Sequence, residues 1–481
     1  MAYNLIECNR EQMYLMPPSL QDWLPEGDLA WFIVDAVERM DVKPFYAEYR
    51  TDGWGRAAFM PEMMVALLLY AYCLGERSSR RIERLCERDV AFRVITANHV
   101  PDHTTIARFR QGNGKELEGL FVETLRLCAE AGLVKAGLVA LDGTKIKANA
   151  ALAANRTHQH LECEVKKMLA EAAAKDAEED TLYGKNRRGD ELPEHLRERK
   201  SRLKRLKECK ERLEREAKER AAEQARKIAE RKAEEEAGGK SRRGRKPRKP
   251  DATPRQEAKA NVTDPESRIM KTRRGYVQGY NAQAVVAEGQ VIIAAEVTQQ
   301  ANDVKQLRPM LERSKTNLAA VGIKEKVGTA LADAGYWSET NVAGGDAEGE
   351  ELFIATTKDW KQRQAMRERP SPRGRIPKDL SRRERMERKL LTERGRRLYK
   401  KRSWMVEPVF GQVKHTRGCE TFMRRGLSAV GEEWKLICTT HNLLKLFRSL
   451  PLRYLPARGL PVRVRTQTGA QAGGQIDVKA A

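Results

Sequence analysis

The chain has 481 residues, with 91 Lys+Arg against 68 Asp+Glu and a net charge of +23. That balance argues for association with a polyanion and says nothing of fold. The eight cysteines form no CxxC pair and no run approaches 18 apolar residues, so neither a zinc or disulfide framework nor a membrane span follows. The length allows two or three domains, and 33% charged residues is too polar for a wholly globular chain, so part of it is expected to be solvated helix or disorder.

Residues 1–132 read as a helical domain. Leu29, Phe32, Ile33 and Val37 recur at helical spacing, and 60–74 is nearly all apolar, which suits a buried helix. Residues 78–86 and 92–95 continue the pattern. In VPDHTTIARFRQ, Asp102 or Thr104 is placed to cap a helix that carries Arg108 and Arg110. A helical pair ending in a basic helix fits a helix-turn-helix DNA reader, and equally a helical domain with a charged solvent face. Arginine pairs bidentately with guanine, so Arg108 and Arg110 are candidate base contacts.

The apolar run 138–141 reads as a strand that delivers Asp142, followed by small residues that read as a turn. Residues 151–261 then break the pattern. Glu, Lys, Arg and Ala dominate, with spaced Leu203, Leu206 and Leu213, which favours long solvated helix or a short antiparallel coiled coil. Between Lys240 and Lys249 seven of ten residues are basic and none is acidic, the composition of a disordered polycationic arm that contacts phosphates through counterion release.

Order resumes at Asp264. Residues 277–286 and 291–297 alternate as two strands of a hairpin turning at Glu288-Gly289, and Asn302 or Asp303 is placed to cap the next helix. The strand 329–332 delivers Asp333, and 351–355 reads as another strand. Residues 361–402 carry 18 Lys+Arg against 5 Asp+Glu. A helical part over 405–446 contains Glu407, with Pro408 expected in its first turn, and 451–481 reads as a disordered tail.

Two strand-end aspartates and a helical glutamate form the oxygen-rich set that a two-metal phosphoryl-transfer site requires. The order strand, hairpin, helix, strand, strand, helix is that of an RNase H-like core. Asp142 and Asp333 stand too far apart in sequence for such a core unless 151–261 is an excursion between its first two strands, which loop-closure entropy tolerates. The expected architecture is α/β: a helical domain over 1–132, a mixed-sheet RNase H-like core over 133–150 plus 262–450, a charged helical and disordered insert over 151–261, and a tail over 451–481.

The stretches VPDHTTIARFR, LDGTKIKANA, DPESRIMK, GYVQGYNAQAVV, ADAGYWSE, SPRGRIP, RMERKL, VEPVFGQVK and HNLLKLF resemble a DDE transposase of bacterial insertion sequences, in the branch with a helical N-terminal domain. The resemblance implies that Asp142, Asp333 and Glu407 are the catalytic triad and hold two Mg²⁺ or Mn²⁺ ions per active site. Related transposases carry Tyr-x2-Arg-x3-Glu-x6-Lys around the glutamate. Tyr399, Arg402, Glu407 and Lys414 match the Tyr–Arg and Glu–Lys spacings, but four residues separate Arg402 from Glu407 instead of three. The implied partners are the element's inverted-repeat ends and target DNA, with a homodimer or higher assembly on DNA. The expected location is the cytoplasm, beside the nucleoid. Two rival readings are an RNase H-like nuclease without strand transfer and a non-catalytic basic DNA-binding scaffold.

Overall fold

The computed structural model describes residues 19–47, 49, 57–183, 194–238, 247–272, 275–375, 377 and 379–449. Six helices come first: α1 (Leu29–Glu38), α2 (Pro61–Cys73), α3 (Ser79–Arg88), α4 (Val90–Ile95), α5 (His103–Gly112) and α6 (Gly114–Glu130). Helix α2 is buried on nearly every side, as its unbroken apolar run requires. Asp102 caps α5, accepting from the Thr104 and Thr105 amides at 2.9 and 3.0 Å.

The main sheet contains β1 (Leu138–Lys147), β4 (Arg268–Thr272), β5 (Gly275–Ala287), β6 (Ile292–Thr298), β7 (Thr329–Ala332) and β8 (Glu351–Ile354). A separate two-stranded ribbon pairs β2 (Asn155–Thr157) with β3 (Lys259–Asn261). In the main sheet β5 lies between β1 and the successive strands β4 and β6, all antiparallel. On its other side β1 is parallel to β7, and β7 to β8. With β4 as an addition on the edge of β5, the three antiparallel strands β1, β5 and β6 followed by the parallel β7 and β8 form the RNase H-like arrangement. Strand β4 was not legible in the sequence; its burial alternates weakly, and only Met270 of its five residues is fully buried.

Helices close the sheet: α9 (Leu307–Ala320) after β6, α10 (Glu339–Glu348) between β7 and β8, then α11 (Trp360–Glu368), α12 (Arg382–Leu391), α13 (Glu393–Gly411) and α14 (Leu427–Ser449). One apolar core joins the N-terminal helices to the sheet through α14, whose Trp434, Ile437 and Leu443 are fully buried. The helical and catalytic parts therefore share a core, where the sequence suggested two units.

The insert is a helical hairpin of α7 (His158–Tyr183) and α8 (Glu194–Gly238) with its own small core of Leu161, Val165, Leu206, Cys209, Leu213 and Ala260. It is stitched to the main body rather than loose. The buried Arg212 donates to the carbonyls of Pro265, Ser267 and Lys259, and Arg268 pairs with Glu216 at 2.7 Å. Residues 239–246 of the polycationic run and the tail from 450 lie outside the described residues.

Two expectations about the strand and helix ends are corrected. Asp142 does not end its strand: β1 runs on to Lys147 because β5 continues the ladder, from Val139 opposite Ala287 to Lys147 opposite Gly279. It is the parallel partner that stops, at Ala332 opposite Leu141. Nor does Pro408 open a helix; it lies near the end of α13. The proline has no N–H for the Trp404 carbonyl, and Gln290 Nε2 donates to that carbonyl instead, at 2.9 Å.

Candidate active site

Where β7 ends, Asp142 and Asp333 stand side by side, one position beyond the register pair Leu141–Ala332. The chain thus brings together two acids separated by the whole insert. Arg402, projecting from α13, donates from its Nη1 to Asp142 Oδ2 at 3.0 Å, and Asp142 Oδ1 accepts from the Gly143 amide at 2.9 Å. Asp333 Oδ1 accepts from the Gly335 amide at 2.8 Å. Burial pushes the Asp142 carboxyl up to about 6, and the negative charges of Asp333 and Asp303 add to that; Arg402 and the Gly143 amide oppose it.

Tyr399, one turn before Arg402 on α13, donates its hydroxyl to the Ala332 carbonyl at 3.2 Å and hydrogen-bonds Arg402. This ties the helix to the residue preceding Asp333. With the four-residue Arg–Glu spacing, the Arg402 guanidinium still reaches Asp142 directly. Glu407 is exposed and lines the same cleft as Arg402, Tyr399 and Thr356. Five residues after it the helix loosens into a π turn over Gln412–Thr416, a distortion often found at functional sites. From this turn Lys414 donates its Nζ to the Lys145 carbonyl of β1 at 2.8 Å, and burial holds its ammonium below the ordinary lysine range.

A third aspartate joins this group. Asp303 occupies the N-cap position of the 3-10 turn Val304–Gln306 that leads into α9, as its sequence position suggested, but its side chain makes no capping hydrogen bond. Its Oδ1 accepts from Asn281 Nδ2 at 2.7 Å and Gln283 Nε2 at 2.8 Å, with Lys145 Nζ at 3.6 Å. Gln283 in turn accepts from the buried Tyr336 hydroxyl. The sequence signal was the polar pair Asn281 and Gln283 on a largely apolar strand, both buried and both on the Gly143 face.

The donor set fits hard divalent cations: carboxylate oxygens, no thiolate or imidazole, and a fully buried Asn281 Oδ1 without a hydrogen-bond partner. A more compact trio of carboxylates occurs at Glu312, Glu348 and Glu350. There the Lys315 ammonium already lies 2.7–2.9 Å from all three, so that trio is an ion-paired cage.

The family model described as "Transposase DDE domain" matches residues 248–443, and that described as "Transposase domain (DUF772)" matches residues 18–112. The chain belongs to the DDE transposases. Comparison with the curated proteins and with the solved structures finds no match. The DDE-domain match contains Asp333 and Glu407 but begins at residue 248, within the last part of the insert, so Asp142 lies outside it; in the folded transposase the sheet register supplies the missing neighbour. No helix among the described residues is long and apolar enough to cross a membrane.

The two arginines singled out on α5 of the transposase have different fates. Arg108 is exposed. Arg110 turns inward and donates to the Arg77 carbonyl at 2.7 Å and the Tyr72 hydroxyl at 3.3 Å, which corrects its reading as a base contact. Its side chain falls on the face of α5 that packs toward α2 and α3, two residues from the exposed position.

Proposed function

We propose that this transposase cleaves the ends of an insertion sequence and joins them to target DNA by phosphoryl transfer at Asp142, Asp333 and Glu407. The observation that carries this reading is the pairing of Asp142 with Asp333 across the insert, with Arg402 fixed on Asp142. A pair of divalent cations, Mg²⁺ or Mn²⁺, would be held by these carboxylates and would supply Lewis acidity at the scissile phosphate. The protein's own groups orient and neutralise. Arg402 holds the Asp142 carboxylate in one rotamer and lowers the repulsion between the paired aspartates. Tyr399 fixes α13, the helix that carries Glu407, against the end of β7. Lys414, anchored on β1, presents a positive charge beside the path of a DNA phosphate. The polycationic run and Arg108 extend the contact to flanking DNA, and assembly as a dimer or higher on paired ends completes the reading.

The test is a purified reaction on a duplex carrying the element's ends, with Mg²⁺. Asp142→Ala, Asp333→Ala and Glu407→Ala should each abolish end cleavage with DNA binding largely intact, because residues of one catalytic unit fail together. Cleavage without joining in the wild-type reaction would favour a nuclease. DNA binding without any cleavage in the wild-type reaction would favour a basic scaffold, and full activity in all three variants would overturn the assignment of the triad.

A further inference from the structure

Asp303 stands on a segment that crosses from β6 to α9, and its carboxylate turns back toward Asp333 and the Gly143 face of β1. Two glycines show how near it lies. A Cβ on Gly143 would fall 2.8 Å from Asp303 Oδ1, and a Cβ on Gly335 would fall 3.0 Å from Asp303 Oδ2. The same point at Gly335 lies 2.8 Å from Asp333 Oδ1, so Asp303 and Asp333 face a common hollow. Side chains at either glycine would fill it. Beside Asp303, the fully buried Asn281 leaves its Oδ1 without a donor, 3.0 Å from the Gly143 point. An unpaired buried amide oxygen carries a desolvation penalty that a cation would relieve. The nearest positive charge now is Lys145 Nζ, 3.6 Å from Asp303 Oδ1.

We propose that Asp303 is a further carboxylate of the metal centre, sharing a divalent cation with Asp333 and with the Asn281 amide oxygen. Lys145 is the ammonium that neutralises Asp303 when no ion is bound. Asp333 lies between the two partners: with Asp142 it serves one ion, with Asp303 the other. The inference rests on the reading of Asp142 and Asp333 as metal ligands.

The experiment titrates the full-length protein, without DNA, with Mn²⁺ alone, following heat and the Mn²⁺ paramagnetic signal. Asp303→Asn keeps the shape and an oxygen for Asn281 and Gln283, and should weaken one of two bound ions by about 10–100-fold, the range known for ligand-supporting groups. Lys145→Met removes the competing ammonium and should tighten Mn²⁺ binding. If Asp303→Asn binds Mn²⁺ like the wild type while Asp142→Asn and Asp333→Asn bind weakly, Asp303 is only a salt-bridge partner and the proposal falls, with the triad reading intact. If all three bind like the wild type, the triad reading itself falls. Should Asp303→Asn fail to fold, Lys145→Met decides alone: unchanged or weaker Mn²⁺ binding overturns the proposal.

Discussion

Replacing Asp142 by Asn should make the metal-free protein more stable at pH 8 and leave its stability nearly unchanged at pH 4. In the folded chain the Asp142 carboxyl titrates at about 6, raised from 3.8 chiefly by burial. The sign follows from proton linkage. Below pH 4 the group is protonated whether the chain is folded or not. Between pH 4 and 6 the unfolded chain releases its proton while the folded chain keeps it, so stability falls; above 6 the deficit is complete. A shift of roughly two units corresponds to about 3 kcal/mol. The side chain remains 20% exposed, which reduces the expected effect to about 2 kcal/mol. Asparagine does not titrate and escapes this penalty. The assay is urea unfolding of wild type and Asp142→Asn in chelator across pH 4–8. If the variant is the less stable protein at pH 8, the Arg402 ion pair outweighs burial and the reasoning fails. Adding Mn²⁺ should stabilise the wild type more than the variant and shrink the difference, since a ligand stabilises the state that binds it.

Three other outcomes are expected. Arg108→Ala should reduce preference for the element's ends over random DNA in competition gel shifts, whereas Arg110→Ala should lower thermal stability with end preference unchanged; the reverse pattern would restore Arg110 as a base reader. Deleting residues 160–255 with a short Gly/Ser bridge should leave the main sheet folded by circular dichroism, because the hairpin's apolar core is separate from it. The loss of the Arg212 contacts should cost about 1–3 kcal/mol, and DNA binding should weaken with a shallower salt dependence. His441, buried with Nε2 on the Gln290 carbonyl at 3.0 Å, is held down to about 3, first by burial and then by Arg417. It therefore contributes stability above pH 6.5 that is lost as pH falls toward 3, and His441→Gln should flatten that acid limb in pH-dependent unfolding.

The identity of the acids and the type of most elements were written in local pattern. The apolar run 138–141 marks a strand whatever it pairs with, α2 is apolar enough to be buried in any context, and Asp102 caps α5 through amides two and three residues away. The charged insert likewise announces itself by composition. These are short-range properties, and periodicity records them. What the tertiary structure decided depends on partners distant in sequence. How far β1 runs was set by β5, more than a hundred residues later, so Asp142 became a mid-strand residue at the end of β7. Arg402 looked misplaced by one residue, yet its reach to Asp142 depends on how α13 lies across β1 and β7. Pro408 sits within α13, where Gln290, from the β5–β6 turn, takes the orphaned carbonyl of Trp404. Arg108 and Arg110 are indistinguishable as letters; the packing of α5 toward α2 and α3 exposes one and buries the other. Asp303 read as a helix cap because aspartates before helices usually are. Only the folded sheet, which sets Asn281 and Gln283 on the Gly143 face, turns its carboxylate toward Asp333.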